Sequence, residues 1–300
     1  MCLALDVGGT KLAVGLVDRS GRVVWKDSVR TPRATDAEAL FRVVRDLLAL
    51  AAESVPARGE IVVCGVGCGG PMTGGGAAVS PLNIPAWRGF PLRARLAEAL
   101  TLLPAAGRAV LGVFVDNDAK AVALAEGWLG AARGQRNYLA MVVSTGIGAG
   151  IVLNGRLLEG ADGNAGHIGH VIVEPEGHEC ACGARGCLEA EASGTGMAAW
   201  TARPPEEATL DVIERSGRMV GRAVASVANL LDLRLAVVGG SVALGFGDAF
   251  FLAAQRELDR CARLDYSRGS RIEPAGLGAD APLVGAAALG WRGLDGGGAE

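Results

Sequence analysis

The sequence has no surplus of positive charge: 29 Lys and Arg stand against 32 Asp and Glu, a formal net charge of −3 at pH 7. The broad basic surface on which phosphate-backbone binding depends is therefore missing, and no nucleic-acid partner is expected. No stretch approaches the ~20 uninterrupted apolar residues that cross a bilayer. The first residues, MCLALDVGG, lack the basic start, long apolar run and small-residue cleavage site of a signal peptide. A cytoplasmic protein without a membrane partner is the expectation. Seven cysteines, an odd number, suit thiols or metal ligands better than a disulfide framework. Histidine is scarce and confined to one stretch: only His167, His170 and His178 occur, within twelve residues, with Cys180, Cys182 and Cys187 close behind.

What is present points to a large folded core. Half of the chain is hydrophobic and a fifth is charged, which excludes a disordered segment, and 300 residues suit two domains. Glycine is in excess at 46 of 300 residues, roughly twice the usual ~7%. Apolar runs of strand length at Cys2 to Val7, Leu12 to Val17 and Arg22 to Val29 are separated by the turn sequences GGTK and DRSG. Thr35 and Glu38 form a capping box ahead of Leu40, Phe41, Val44, Leu47, Leu48 and Ala51, whose spacing is helical. A strand at Ile61 to Gly67, a helix at Leu92 to Leu103, the strand GVFVDND and a helix at Ala119 to Leu129 follow. Strands flanked by helices imply a mixed or parallel sheet covered on both faces.

The plan then restarts. LAMVVSTGIGAGIVLNGRLLEG repeats the order of LALDVGGTKLAVGLVDRSGRVV: apolar strand, Gly/Thr turn, apolar strand, polar turn. Helices at Leu210 to Leu231 and Asp248 to Leu264, strands at Leu235 to Val238 and Arg271 to Ala275, and a helix at Pro282 to Trp291 complete the second half; GLDGGGAE reads as a frayed tail. Two similar halves, each opening with a glycine hairpin, place the expected site in a cleft between domains.

Three glycine turns are candidates for phosphate contact. In the first, Gly8 and Gly9 let backbone N–H groups approach a phosphate, Thr10 adds a hydroxyl, Lys11 a charge, and Asp6 a carboxylate able to hold magnesium through water. The second comprises Ser144, Thr145, Gly146, Gly148 and Gly150, and the third Gly239 and Gly240 at the end of LAVVGG. Ordinary hairpin or strand-to-helix turns have the same composition, and neither the GxxxxGK[ST] loop nor the dinucleotide fingerprint is present. Asn117 and Asp118 close a strand and open a helix, where Asp118 can accept a proton from a substrate hydroxyl or either residue can cap the helix; spacing does not separate Asp118 from Asp116. Cys180, Cys182 and Cys187 form CxCxxxxC, tight enough to surround one ion, and any of the three histidines can complete a Cys₃His zinc site. With no open position such a zinc is structural. Cys2, Cys64, Cys68 and Cys261 read as small core residues.

DVGGTK, GVGCGGPM with SPLNIPAW behind it, DNDA, STGIGAG, GHIGH, CACGARGCLEAEASG and VVGGSV, in this order from about residue 3 to 291, resemble the ROK family of sugar kinases and regulators. The resemblance implies an α/β, actin-like ATPase fold (ribonuclease H-like, hexokinase-type): two duplicated domains around a cleft, residues 1–118 and 119–300, the last helix packing back on the first domain. It implies phosphorylation of a hexose or N-acetylhexosamine hydroxyl by ATP with Mg2+, a structural Zn2+, and a homodimer or homotetramer. Residue by residue, Asp118 corresponds to the family's catalytic base. Gly70, Asn83, Asn117, His167, His170 and Glu189 fall at sugar-side positions, and Asp6, Gly8, Gly9, Thr10, Lys11, Thr145 and Gly146 at phosphate positions. Gly239 and Gly240 correspond to the adenosine motif, and His170, Cys180, Cys182 and Cys187 to the zinc ligands.

Three departures carry expectations of their own. His167 stands where the family's sugar kinases usually carry Glu, exchanging a pure acceptor for a ring that donates one hydrogen bond and accepts another; the sugar preference is expected to depart from glucose. Gly69 replaces a usual proline and is expected to loosen the sugar-side loop. The stretch from Met197 to Leu210 is short for the family, with an expected cost in ATP affinity. A non-catalytic sugar sensor of the same fold is the alternative function. The family's repressors carry a helix-turn-helix ahead of the first strand, which here begins at residue 2 or 3, so DNA binding is not expected.

Overall fold

The computed structural model describes residues 1–33, 36–57, 59–103 and 110–296, and they form two compact units. Unit 1 comprises Met1–Ala125, Glu159–Ala165 and Ala279–Glu300; unit 2 comprises Glu126–Leu158 and Gly166–Gly278. Among the described residues no helix is long and apolar enough to cross a membrane.

Unit 1 opens with strands β1 (Cys2–Val7), β2 (Lys11–Val17) and β3 (Val23–Arg30), followed by helix α1 (Ala37–Glu53), β4 (Val63–Cys68), α2 (Leu92–Thr101), β5 (Val113–Asn117) and α3 (Asp118–Trp128). The sheet order is β3-β2-β1-β4-β5, with β1 antiparallel to β2 and parallel to β4. Leu3, Leu5 and Val7 on one face of β1 and Cys2 and Ala4 on the other are all buried, as a central strand covered on both sides requires. The edge strand β3 is largely exposed and carries Lys26, Asp27 and Arg30 outward, which blunts it against pairing with another chain. Helix α1 buries the apolar residues its spacing predicts, but Asp36 caps it, accepting from Glu38 N–H and Ala39 N–H at 3.1 Å each; the expected capping residue, Thr35, lies outside the described residues.

Unit 2 contains β6 (Tyr138–Val143), β7 (Ile147–Leu153), β8 (Arg156–Leu157), α4 (Leu188–Ala192), α5 (Gly194–Thr201), α6 (Leu210–Leu231), β9 (Leu235–Gly239), α7 (Ser241–Phe246), α8 (Asp248–Cys261) and β10 (Arg271–Pro274). Asn154 and Gly155 both take positive φ, 54° and 81°, the pair of left-handed residues a two-residue hairpin turn needs between β7 and β8. The order β10-β9-β6-β7-β8 reproduces the first sheet strand for strand: β6 and β7 are antiparallel as β1 and β2 are, and β6 and β9 parallel as β1 and β4 are. The internal duplication, faint in sequence, is thus complete in topology.

The last helix, α9 (Ala281–Leu294), belongs to unit 1. It lies so close to β4 that a Cβ on Gly65 would meet the Ala286 carbonyl oxygen at 1.8 Å. Part of the glycine excess therefore serves helix-on-sheet packing, a use beyond the turns and ligand loops expected from the sequence.

Candidate active site

In unit 1 the strand ends gather the carboxylates. Register aligns Asp6 with Gly67 of β4, and Gly67 with Asp116 of β5. Because Gly67 has no side chain, α3 can begin directly over it; a Cβ there would stand 3.4 Å from Asp118 Cα. The three polar residues of VDND take three different tasks. Asp116 meets the ammonium of Lys120 at 3.4 Å, and burial pushes its carboxyl up to about 6 while Lys120 pulls it down. Asn117 Oδ1 accepts from Ala119 N–H at 3.0 Å and Lys120 N–H at 3.4 Å, capping α3. Asp118 is left without a side-chain partner among the described residues, bonded only to backbone N–H groups such as that of Ala119 at 2.8 Å. Burial raises its carboxyl above the ordinary 3.8, the direction that makes a carboxylate a better proton acceptor near neutrality. Asp6 is pushed up to about 7, first by burial and then by the charge of Asp118.

Beside them, the turn after β1 is closed by Gly8 N–H donating to the Lys11 carbonyl at 3.0 Å and braced by Thr31 Oγ1 donating to the Gly8 carbonyl at 2.6 Å. Gly9, Thr10 and Lys11 are exposed, so the backbone edge of the turn faces solvent. A Cβ on Gly9 would meet Asn83 Cβ at 2.4 Å; glycine there is what lets the loop of Asn83 rest on the turn after β1. The Gly70 carbonyl accepts from Leu82 N–H at 3.2 Å, tying the loop after β4 to the loop of Asn83. Gly69 donates its N–H to the Val7 carbonyl at 3.5 Å, a bond the proline usual at this position in the family would lack. Sequence reasoning missed Lys120 and Asn164: the Asn164 amide accepts from Met72 N–H and donates to the Met72 carbonyl, both at 3.1 Å.

Unit 2 brings the second turn and Glu189 together. Glu189 Oε2 accepts from Ile147 N–H at 2.9 Å and would meet a Cβ on Gly146 at 2.9 Å. Thr145, exposed at the tip, is fixed through its carbonyl, which accepts from Thr195 N–H at 3.1 Å and Thr195 Oγ1 at 2.7 Å. Ser144 Oγ lies 2.9 Å from Ser241 Oγ, joining this turn to the one at Gly239 and Gly240. Gly240 has φ 97°, and a Cβ would strike the Val143 carbonyl oxygen at 2.2 Å, so only glycine permits this approach.

His170, on a short turn of helix (Ile168–His170), and Cys180, Cys182 and Cys187 present ligand atoms that all lie within 4.8 Å of one another. The Cys180 Sγ to His170 Nδ1 separation is 3.8 Å and the Cys182 Sγ to Cys187 Sγ separation 3.7 Å. Ligands about 2.3 Å from a tetrahedral zinc stand about 3.8 Å apart, so the donor set fits that metal. Burial pushes the Cys187 thiol up to about 12 and raises that of Cys180, crowding that a divalent cation relieves. His167 lies alongside, its ring centroid 6.2 Å from that of His170. His178, one of the three histidines whose spacing suits zinc, is not part of that cluster and is held elsewhere. Its Nδ1 is 2.9 Å from the buried Glu191 carboxylate, which Arg215 also binds, and its ring stacks on Trp200 at 5.2 Å.

The ROK family model matches residues 2–292. The N-acetylmannosamine kinase of Haemophilus influenzae (strain PittEE) is 33% identical over 302 residues, covering 95% of this chain and 94% of that protein. The ROK hexokinase of Thermus thermophilus superimposes with a TM-score of 0.79 at 34% identity, over 98% of this chain and 99% of that one. A ROK family glucokinase from Streptomyces griseus, solved with glucose and AMPPNP, does so with a TM-score of 0.81 at 28% identity, over 97% and 99% of the two chains.

Proposed function

The chain belongs to the ROK family and has its actin-like fold, and on that premise we propose that it is an ATP-dependent sugar kinase whose acceptor is N-acetylmannosamine. The observation that carries the reading is the division of labour at VDND: Lys120 takes Asp116, Asn117 caps α3, and Asp118 keeps a raised, uncommitted carboxyl. In the reaction a sugar hydroxyl oxygen forms a bond to the terminal phosphorus of ATP as its proton passes to the Asp118 carboxylate. The bond from that phosphorus to the bridging oxygen breaks, and ADP departs. A sensor without chemistry has no need of a buried carboxyl held free in this way.

Gly70, Asn83 and the Asn117 amide are assigned to the sugar in unit 1; Gly8, Gly9, Thr10 and Lys11 are assigned to phosphate. Thr145, Gly146, Gly239 and Gly240 are assigned to the nucleotide in unit 2, with His167, His170 and Glu189 on the sugar side. Magnesium bound with ATP neutralises phosphate charge, and Asp6, a half-buried carboxylate under the first turn, is the residue to hold it. Zinc held by His170, Cys180, Cys182 and Cys187 would have no open position, and so serves to fix the loop that carries His170.

The choice of N-acetylmannosamine is supported by the identity to N-acetylmannosamine kinases and by His167, whose imidazole can donate to an acceptor that a carboxylate would repel. ADP release measured with N-acetylmannosamine, N-acetylglucosamine, mannose and glucose tests it. The highest kcat/KM is expected for N-acetylmannosamine, and His167→Glu is expected to move preference toward glucose. A wild-type preference for glucose overturns the substrate, and absence of any sugar-dependent turnover overturns the kinase.

A further inference from the structure

The chain has three lysines against 26 arginines, and one of those lysines, Lys120, is fully buried. Its ammonium meets three acceptors: Glu159 Oε2 at 2.6 Å, the Gly163 carbonyl at 2.8 Å and Asp116 Oδ1 at 3.4 Å. Three donors on one compact head match three acceptors, a geometry that the planar fork of arginine does not offer. Two of those acceptors lie in the segment Glu159–Ala165, which leaves the sequence of unit 2 to join unit 1. The segment is closed on itself, Ala165 N–H donating to the Glu159 carbonyl at 3.0 Å. Its next residue, Asn164, pairs in both directions with the backbone of Met72, two residues beyond Gly70.

A continuous path thus runs within unit 1: Asp116, two residues before Asp118; Lys120; the turn 159–165; Asn164; and the Gly70–Met72 loop. We propose that Lys120 and Asn164 are positioning residues that clamp the sugar-side loop in register with the Asn117–Asp118 strand end, with the 159–165 turn as the connecting piece. Among the described residues the ammonium of Lys120 bonds the turn and Asp116 rather than Met72, and it acts on Met72 through the turn. Removing it leaves the buried Asp116 carboxyl, the Gly163 carbonyl and Glu159 without their shared cation and frees the turn from its anchor. The kinetic consequence rests on the sugar-kinase reading; the structural one does not.

The experiment uses Lys120→Met, Asn164→Ala and the double variant of the full chain. Hydrogen exchange is followed in a peptide covering 69–73, and KM is measured separately for sugar and ATP. Faster exchange of 69–73 is expected in both single variants. Sugar KM is expected to rise about ten- to a hundredfold, the scale on which small misplacements act, with ATP KM within about twofold of wild type. The double variant is expected to be no worse than the stronger single one, because both release the same turn. Unchanged exchange of 69–73 in Lys120→Met, equal rises in both KM values, or additive effects overturn the clamp. Should Lys120→Met not fold, Glu159→Gln, at an exposed side chain, weakens the same anchor and is expected to speed exchange at 69–73; no change there overturns the clamp. If the wild type phosphorylates no sugar, the kinase reading fails while hydrogen exchange still decides the clamp.

Discussion

Asp6→Asn offers a direct measure of how much stability unit 1 gives up to keep a carboxylate beneath the first glycine turn. The Asp6 carboxyl is raised from the ordinary 3.8 to about 7, by burial first and the neighbouring Asp118 charge second. The sign follows from which state ionises first. Below pH 3.8 both folded and unfolded chains hold the proton and the group contributes nothing. Between 3.8 and about 7 the unfolded chain ionises while the folded one resists, so the folded state loses stability by about 1.4 kcal/mol for each pH unit. Above that range the loss is complete, and the three-odd pH units between 3.8 and about 7 amount to about 4 kcal/mol. Asparagine has the same shape and no charge to bury. Urea unfolding of the wild type and Asp6→Asn from pH 4 to pH 8.5, followed by fluorescence and circular dichroism, is expected to show the variant gaining on the wild type up to about pH 7 and holding a constant lead above it. The added Asp118→Asn change is expected to shrink that gain, since it removes the second cause. A stability difference that stays constant across the range would refute the reasoning.

Asp118→Asn is expected to lower kcat by about 10²- to 10⁴-fold, the contribution of a positioned base, without lowering Tm, because it too removes a buried charge; coupled ADP assays and thermal melts check both. Cys187→Ser, measured by zinc uptake and thermal unfolding against the wild type, is expected to lose zinc binding and destabilise the loop; uptake equal to that of the wild type would break the ligand assignment. Gly240→Ala forces φ 97° on a residue whose Cβ meets the Val143 carbonyl oxygen at 2.2 Å. It is expected to cost about 2–4 kcal/mol in denaturant unfolding, and a loss below about 0.5 kcal/mol, the ordinary scatter of surface changes, would show that the turn relaxes freely.

The elements that sequence reasoning found are those with a strong period. The Leu40, Phe41, Val44, Leu47, Leu48, Ala51 series of α1 is buried as read, and α6 spans Leu210–Leu231 as its apolar pattern predicts. Helices α4, α5 and α7 went unread because eight or fewer residues hold too few turns to display a period. The Asp36 cap was displaced by one residue because Thr35 and Asp36 carry the same chemistry in neighbouring positions. Spacing does not separate His178 from the zinc ligand because its setting, Glu191 and Trp200 with Arg215 on the same carboxylate, comes from three different helices whose packing no local pattern encodes.

The same limit explains why Asp116 and Asp118 were indistinguishable by spacing. Asp116 and Lys120 stand four apart, the separation of a helical ion pair, yet Asp116 belongs to β5 and α3 begins only at Asp118, so the helical rule does not apply. What brings the pair together is the abrupt change from strand to helix at Asn117, which caps the new helix with its own side chain. That change folds Lys120 back over the strand end, where it pairs with the Asp116 carboxylate and leaves Asp118 with backbone partners alone among the described residues. The catalytic assignment thus depends on a cap and a buried cation, neither of which touches the reacting atoms. It follows that a substitution at Lys120, which pairs with Asp116 and not with Asp118, should impair the reaction through position rather than through the basicity of Asp118. A pH–rate profile unchanged in shape beneath a lowered kcat/KM for the sugar is the signature that separates the two.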